Sequence, residues 1–232
     1  MANFTTHLTV AAIASTALAT FGFVGGLFGF GTAVFCLAIG VIGGLLPDID
    51  LETSIPAKRF FTLMSLFIAT LTAILYTAYQ TTGTQLVEQA LMVWGGAFMV
   101  VRYGVIGLFS HLTVHRGMVH SVPYMAMCGL FAVYGAFYGF GMTAKVSWLF
   151  GGFLFIGAMV HLVLDEIYSV NVLGLKLKKS SGTAFKFFER KKSLRYVMLY
   201  IIVFALFLYA PDYQPALNGI HALVQTFATR TI

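Results

Sequence analysis

Charged positions in this chain are gathered into a few short intervals, with long apolar runs between them. From Asn3 up to Asp48 no side chain carries a formal charge. A bilayer crossing takes about 20 residues, so this stretch is too long for one helix and suits two. The break is predicted within Gly22 to Gly31, where five glycines permit a tight turn. Further apolar spans run from Phe60 to Tyr79, Ala90 to Phe109, Val122 to Phe140, Val146 to Leu164 and Leu194 to Ala210. The last segment, Pro215 to Thr229, is too short and too polar to span and reads as a helix lying at the interface. The pattern predicts an all-α fold: a polytopic membrane helical bundle of about seven transmembrane helices.

Composition agrees with that pattern. Hydrophobic residues make up 59% of the 232 and charged ones 9%, with a mean hydropathy of +0.89, whereas about a quarter of the residues of soluble domains are charged. One integral membrane domain is expected over residues 1–232. Small residues four apart, among them Gly22 with Gly26, Gly25 with Gly29, Gly40 with Gly44 and Gly135 with Gly139, are predicted as close-packing positions. Ala17-Leu18-Ala19 imitates a signal-peptide cleavage site, but Met1 to Thr6 lacks the Lys or Arg of a basic leader, so the segment is read as a retained helix. Cys36 and Cys128 both fall inside apolar spans and read as small core residues.

Basic residues stay preferentially on the cytoplasmic side. With a cytoplasmic N-terminus, the inner connections (Pro47 to Arg59, Ser110 to Ser121, Asp165 to Arg195) hold eleven of the 14 Lys and Arg. The outer side has Lys145 and Arg230, and Arg102 is left within a span. This orientation makes 166–194 a basic cytoplasmic interfacial loop and 211–232 a non-cytoplasmic tail. It also has a chemical consequence. His7, Asp48, Asp50, His115, His120, His161 and Asp165 all fall at the cytoplasmic ends of their helices.

Ionisable groups beside a bilayer are costly and usually functional. His161 and Asp165 are spaced i and i+4, on one helix face a turn apart, and can chelate one metal or bridge two. His111 and His115 share that spacing, and His120 follows after Gly117; His111 reads either as a ligand or as a group that holds another in place. Imidazole and carboxylate without thiolate suit a divalent ion, zinc above all, with the number of ions open. A lone His at an interface is more often a helix-end contact, and Asp48 after Pro47 could simply cap the next helix. The combination is harder to dismiss, because carboxylates converging in a medium of low dielectric repel unless cations or protons intervene. His221 is excluded, since the parity of spans puts it on the opposite side.

Arg116 offers forked donors suited to phosphate or carboxylate. Ser121, Val122 and Pro123 look like the start of a helix whose amides would favour an anion at the same place. Arg116 could equally pair with Asp48, Asp50 or Glu52. The loop after Glu166 mixes Lys and Arg with Phe185, Phe187 and Phe188, which suits contact with membrane lipids and anionic phospholipid headgroups. No base-reading motif accompanies these charges, and nucleic acid is not an expected partner.

Thr6-His7, Leu46-Pro47-Asp48-Ile49-Asp50 with Ser54, His115-Arg116-Gly117 with His120-Ser121, and His161-Leu162-Val163-Leu164-Asp165 together resemble the signature of the YdjM-type bacterial inner-membrane proteins, described as candidate metal-dependent hydrolases. The resemblance covers roughly Met1 to Gly174. That family is in turn similar to the zinc-dependent phospholipase C and P1 nuclease group, all-helical enzymes that cleave phosphoesters with His- and Asp-bound zinc. The resemblance implies His7, Asp48, Asp50, His115, His120, His161 and Asp165 as metal ligands and the bacterial inner membrane as location. Val119 departs from the Thr often found there, which removes a hydroxyl and no ligand. The basic segment after Asp165 also differs from the family's shorter, more apolar ending, which bears on the substrate.

The function expected from these residues is a membrane-embedded metal-dependent hydrolase, acting on a phosphoester of a lipid or related substrate at the cytoplasmic interface. The metal would lower the pKa of a bound water, Asp48 or Asp50 would accept a proton, and Arg116 would hold a phosphate oxygen. The competing expectation is a non-enzymatic membrane protein whose His/Asp site binds metal for structure, sensing or transport.

Overall fold

Asn3 starts the first helix, its side chain accepting the Thr6 N–H at 2.8 Å and so satisfying one of the free amides of the first turn. The helix α1 (Phe4–Val24) ends where Gly26 takes φ +75°, a left-handed conformation that suits glycine. The computed structural model describes residues 3–50, 55–79, 86–105, 119–171, 176–177 and 186–230. After α1 come α2 (Phe30–Leu45), a 3-10 turn (Leu46–Asp50) and α3 (Ile55–Tyr79). Then follow α4 (Leu86–Met99), continued by a π-helical turn (Val100–Val105), and α5 (Val122–Tyr134), continued by another (Gly135–Gly139). The long α6 (Ala144–Ser169) leads into an antiparallel ladder of two residues a side, β1 (Val170–Asn171) with β2 (Lys176–Leu177). A 3-10 turn (Arg190–Lys192), α7 (Ser193–Leu208) and α8 (Gln214–Arg230) complete the order.

Among the described residues the protein is all-α apart from that ladder and a single β-bridge between Ser121 and Lys186, as the hydropathy pattern predicts. Four helices among the described residues are long and apolar enough to cross a membrane: Phe4–Val24, Phe30–Asp48, Val122–Gly139 and Ala144–Tyr168. The predicted total of seven is not reached on that measure. The described part of the fourth predicted span, up to Val105, is helical in α4 and its π-turn, and α7 has 16 residues, short of the roughly 20 that a crossing takes. The interfacial segment predicted near the C-terminus is helical, as α8.

The chain divides into two compact units, Met1–Pro47 with Gly117–Ile232, and Asp48–Arg116. In the first, α6 is the central helix: it packs against α1, α2, α5 and α8, while α7 lies on α5. Its interior is built from small and aromatic residues, with Cys36, Leu149, Phe150 and Phe153 meeting Ala19, Leu27 and Leu223. Large apolar side chains such as Phe30 and Phe204 face outward, the arrangement a lipid environment favours. The second unit is a pairing of α3 with α4. Trp94 Nε1 donates to Thr70 Oγ1 and Tyr76 OH to Gln89 Oε1, both at 3.1 Å. Arg102 lies in the π-turn with its guanidinium 5.5 Å from the Tyr103 ring centre.

Between lipid-facing helices there is little hydrophobic drive, and close backbone packing takes its place. The α2 face carrying Gly40, Gly43 and Gly44 shows how tight that packing is. A Cβ on Gly43 would strike the Leu154 carbonyl, one on Gly157 the Gly40 carbonyl, and one on Gly44 the Ala11 side chain. The predicted Gly40/Gly44 pair is therefore a packing position. Gly135 and Gly139 are not: a Cβ on either would meet nothing within 4 Å, whereas Ala136 of the same π-turn is the residue that packs into the core.

Gly157→Ala is therefore expected to lower stability by about 1–3 kcal/mol, the usual cost of overpacking. Gly152→Ala, where an added Cβ meets nothing within 4 Å, should leave stability unchanged or raise it through helix propensity. Thermal unfolding of the detergent-solubilised variants checks this, and equal loss in both would contradict the close approach.

Candidate metal centre

His7, Ala11, Ser15 and Ala19 follow one another at four-residue spacing in α1, and all four are buried. Three small residues thus bring this face of α1 against its neighbours and carry the His7 ring into the interior with them. On α6 the same spacing aligns Gly157, His161 and Asp165. Gly157 makes the backbone contact with α2, so the two ionisable groups one and two turns later point into the same interface. His120 arrives from the extended residues before α5. Ser121 occupies the N-cap position and Pro123 the first turn of that helix, as expected from the sequence.

These elements bring three imidazoles around one carboxylate. His7 Nε2 is 3.2 Å from Asp165 Oδ1, and His161 Nε2 and His120 Nε2 are 3.6 and 3.8 Å from Asp165 Oδ2. His7, His161 and Asp165 are each 1% exposed. The His7 and His161 rings stack with centroids 3.7 Å apart and planes at 11°, and His120 meets His161 edge to face. Two imidazolium rings in that stacked contact would repel in a low-dielectric interior, so the arrangement favours neutral rings or a shared cation.

The tautomer of His161 follows from its partner. Its Nδ1 is 2.7 Å from the Gly44 carbonyl, which can only accept, so Nδ1 carries the proton and donates. That contact turns Nε2 toward Asp165 and leaves it as the ring nitrogen available to a metal. Neither ring nitrogen of His7 forms a well-aligned hydrogen bond among the described residues. The spacing of the donors fits a common ion. Two ligands at about 2.0–2.2 Å from a tetrahedral centre lie roughly 3.3–3.6 Å from each other, close to the measured 3.2–3.8 Å. His7, His161 and Asp165 form a group that could hold a metal ion.

Asp48 and Asp50 lie in the turn Leu46–Asp50 that continues α2, and Asp48 opens the second unit. The Asp50 side chain, His111, His115 and Arg116 lie outside the described residues. His221, set aside on parity, is exposed on α8.

The structure adds supports that sequence reading missed. The Gly44 carbonyl is one, and no residue type could have announced it. Tyr196 is another: fully buried at the start of α7, it reaches the Ser121 hydroxyl beside His120 with its phenol. The Val122 N–H donates to the Lys186 carbonyl at 2.9 Å, and Tyr200 OH donates to the Phe187 carbonyl at 2.8 Å. The backbone that carries His120 is thus held by the segment preceding α7. Tyr196 looked like one more apolar-run aromatic, and its signal was only that a buried phenol needs a partner.

Purified wild type is expected to retain a divalent ion. Asp165→Ala and His161→Ala should each lower its content by at least about tenfold, since even changes one shell farther out cost 10- to 100-fold in affinity. Elemental analysis after gel filtration measures this, and equal content in all three proteins would remove the assignment.

No curated protein and no solved structure matches the chain. A family model does, over residues 1–211, and that stretch contains every histidine gathered around Asp165. The chain belongs to the YdjM inner membrane protein family.

Proposed function

We propose that this membrane protein is a metal-dependent hydrolase that cleaves a phosphoester of a lipid or related substrate at the cytoplasmic face of the inner membrane. The observation that supports it is the convergence of His7, His120 and His161 on Asp165 at the separations of co-ligands. His7, His161 and Asp165 would hold the ion, with His120 beside them; Asp48, Asp50 and His115 join the proposal as the remaining expected ligands. A bound divalent ion, zinc for this donor set, supplies Lewis acidity and a water of lowered pKa. Asp48 or Asp50, where not engaged as a ligand, takes up the proton. Arg116 holds a phosphate oxygen through its fork of donors. The basic segment 166–194 contacts anionic phospholipid headgroups, which keeps the protein's site at the level where a lipid phosphoester lies.

A second reading has an observation of its own. His7, His161 and Asp165 are each almost fully buried, as the ligands of a closed structural site would be. In that case the ion stabilises the bundle and no water is activated.

Zinc-loaded wild type in vesicles of phosphatidylcholine and phosphatidic acid is expected to release phosphorylated headgroup or inorganic phosphate, detected by mass spectrometry. Asp48→Asn and Asp50→Asn should, at whichever of the two positions serves as base, cut turnover by about 10²-fold or more with the ion retained. Firm metal binding with no turnover across a broad phospholipid panel would reject the hydrolase reading in favour of the structural one.

A further inference from the structure

A groove of about 570 Å³ runs between α5, α6 and α7. Ala126 and Val133 line it from α5, Gly152 and Phe155 from α6, and Tyr200 and Phe207 from α7. No charged side chain faces it. Its polar groups are already engaged: Tyr200 OH donates to the Phe187 carbonyl, and the Trp148 indole donates to the Pro211 carbonyl at 2.8 Å. A polar ligand would find no partner for its own hydrogen bonds here, at a cost of several kcal/mol per group by typical estimates. A hydrocarbon chain loses nothing, and it restores the dispersion contacts that an unfilled hollow forfeits.

The position of the groove relative to the His/Asp pocket decides what kind of chain fits. Phe155 lies six residues before His161 on α6, about 9 Å along the axis, and Ala126 lies five residues after Ser121, about 7.5 Å. Tyr200 is one turn beyond Tyr196, whose phenol reaches Ser121 beside His120. On each of the three helices, then, the groove begins within about two turns of the pocket and leads away from it toward Trp148 and Val133. Two of those helices, α5 and α6, lie in candidate membrane spans, where the surrounding medium is itself hydrocarbon.

We propose that this groove seats the hydrocarbon chain of a membrane lipid whose phosphate-bearing head reaches the pocket of His7, His120, His161 and Asp165. The substrate is then an amphiphile, and water-soluble phosphoesters are poor substitutes. This rests on the reading of that pocket as a phosphoesterase site, but the seating of the chain is measurable without any turnover.

The test uses the zinc-loaded full-length protein in phosphatidylcholine vesicles with a phosphatidic acid that carries a diazirine in its acyl chain. Photolabelling is expected to concentrate on the groove-facing residues of α5, α6 and α7. Gly152→Phe and Val203→Phe fill the groove from different helices and should each lower that labelling by about fivefold or more through steric exclusion, with zinc content unchanged. Two variants are used because either alone could disturb folding, which thermal unfolding reports; the wild-type label map stands independently of both. Labelling spread over lipid-facing side chains such as Phe67 and Ile201 in proportion to exposure, or labelling untouched in a folded, groove-filled variant, would overturn the proposal. Concentrated labelling without phosphoester turnover would sink the hydrolase reading and leave the chain-binding groove; turnover with diffuse labelling would do the reverse.

Discussion

The backbone contact between α2 and α6 is the constraint on which the rest of the first unit depends. Gly40 and Gly157 admit it, because a methyl group on Gly157 would collide with the opposing carbonyl. One helical turn farther along both helices, the same proximity lets the His161 ring reach the Gly44 carbonyl. The glycines therefore do more than tighten a helix pair. They fix the tautomer and direction of an imidazole, and through it the geometry around Asp165.

The electrostatic consequence is unusual for the middle of so apolar a molecule. One carboxylate, almost fully buried, is surrounded by three imidazole nitrogens at 3.2–3.8 Å. Burying an anion in such surroundings is costly unless positive charge and hydrogen bonds compensate. Protons on one or two rings, or a metal ion shared by all of them, supply that charge. The close stacking of His7 on His161 limits the first solution, since both stacked rings cannot comfortably be cations. The second removes the conflict and satisfies the ring lone pairs at the same time.

Much of this was legible in the sequence because the membrane simplifies the alphabet. In a chain with so few charged residues, each His and Asp stands out, and the parity of apolar spans predicts which of them share an end. His7, His120, His161 and Asp165 do so. The glycine break after α1 and the N-cap at Ser121 were equally visible, since turn and cap chemistry is local. What could not be read was the contact level of detail. Gly40 with Gly44 and Gly135 with Gly139 have the same spacing, yet only the first pair meets a neighbouring helix, while the second faces open space and leaves the packing to Ala136. Nor does a sequence show that a backbone carbonyl holds His161, or that the Tyr196 phenol turns inward to Ser121. Of the seven predicted crossings, four are matched among the described residues by helices of sufficient length and apolarity.

His7 and its partners His161 and Asp165 come from the first helix and from the end of the sixth, more than 150 positions apart in the chain. During biosynthesis the earliest helix must therefore wait, with its imidazole unmatched, until nearly three quarters of the polypeptide has entered the bilayer. Closure of the His/Asp cluster is in this sense a late checkpoint of assembly, reached only when the bundle has closed around its central helix.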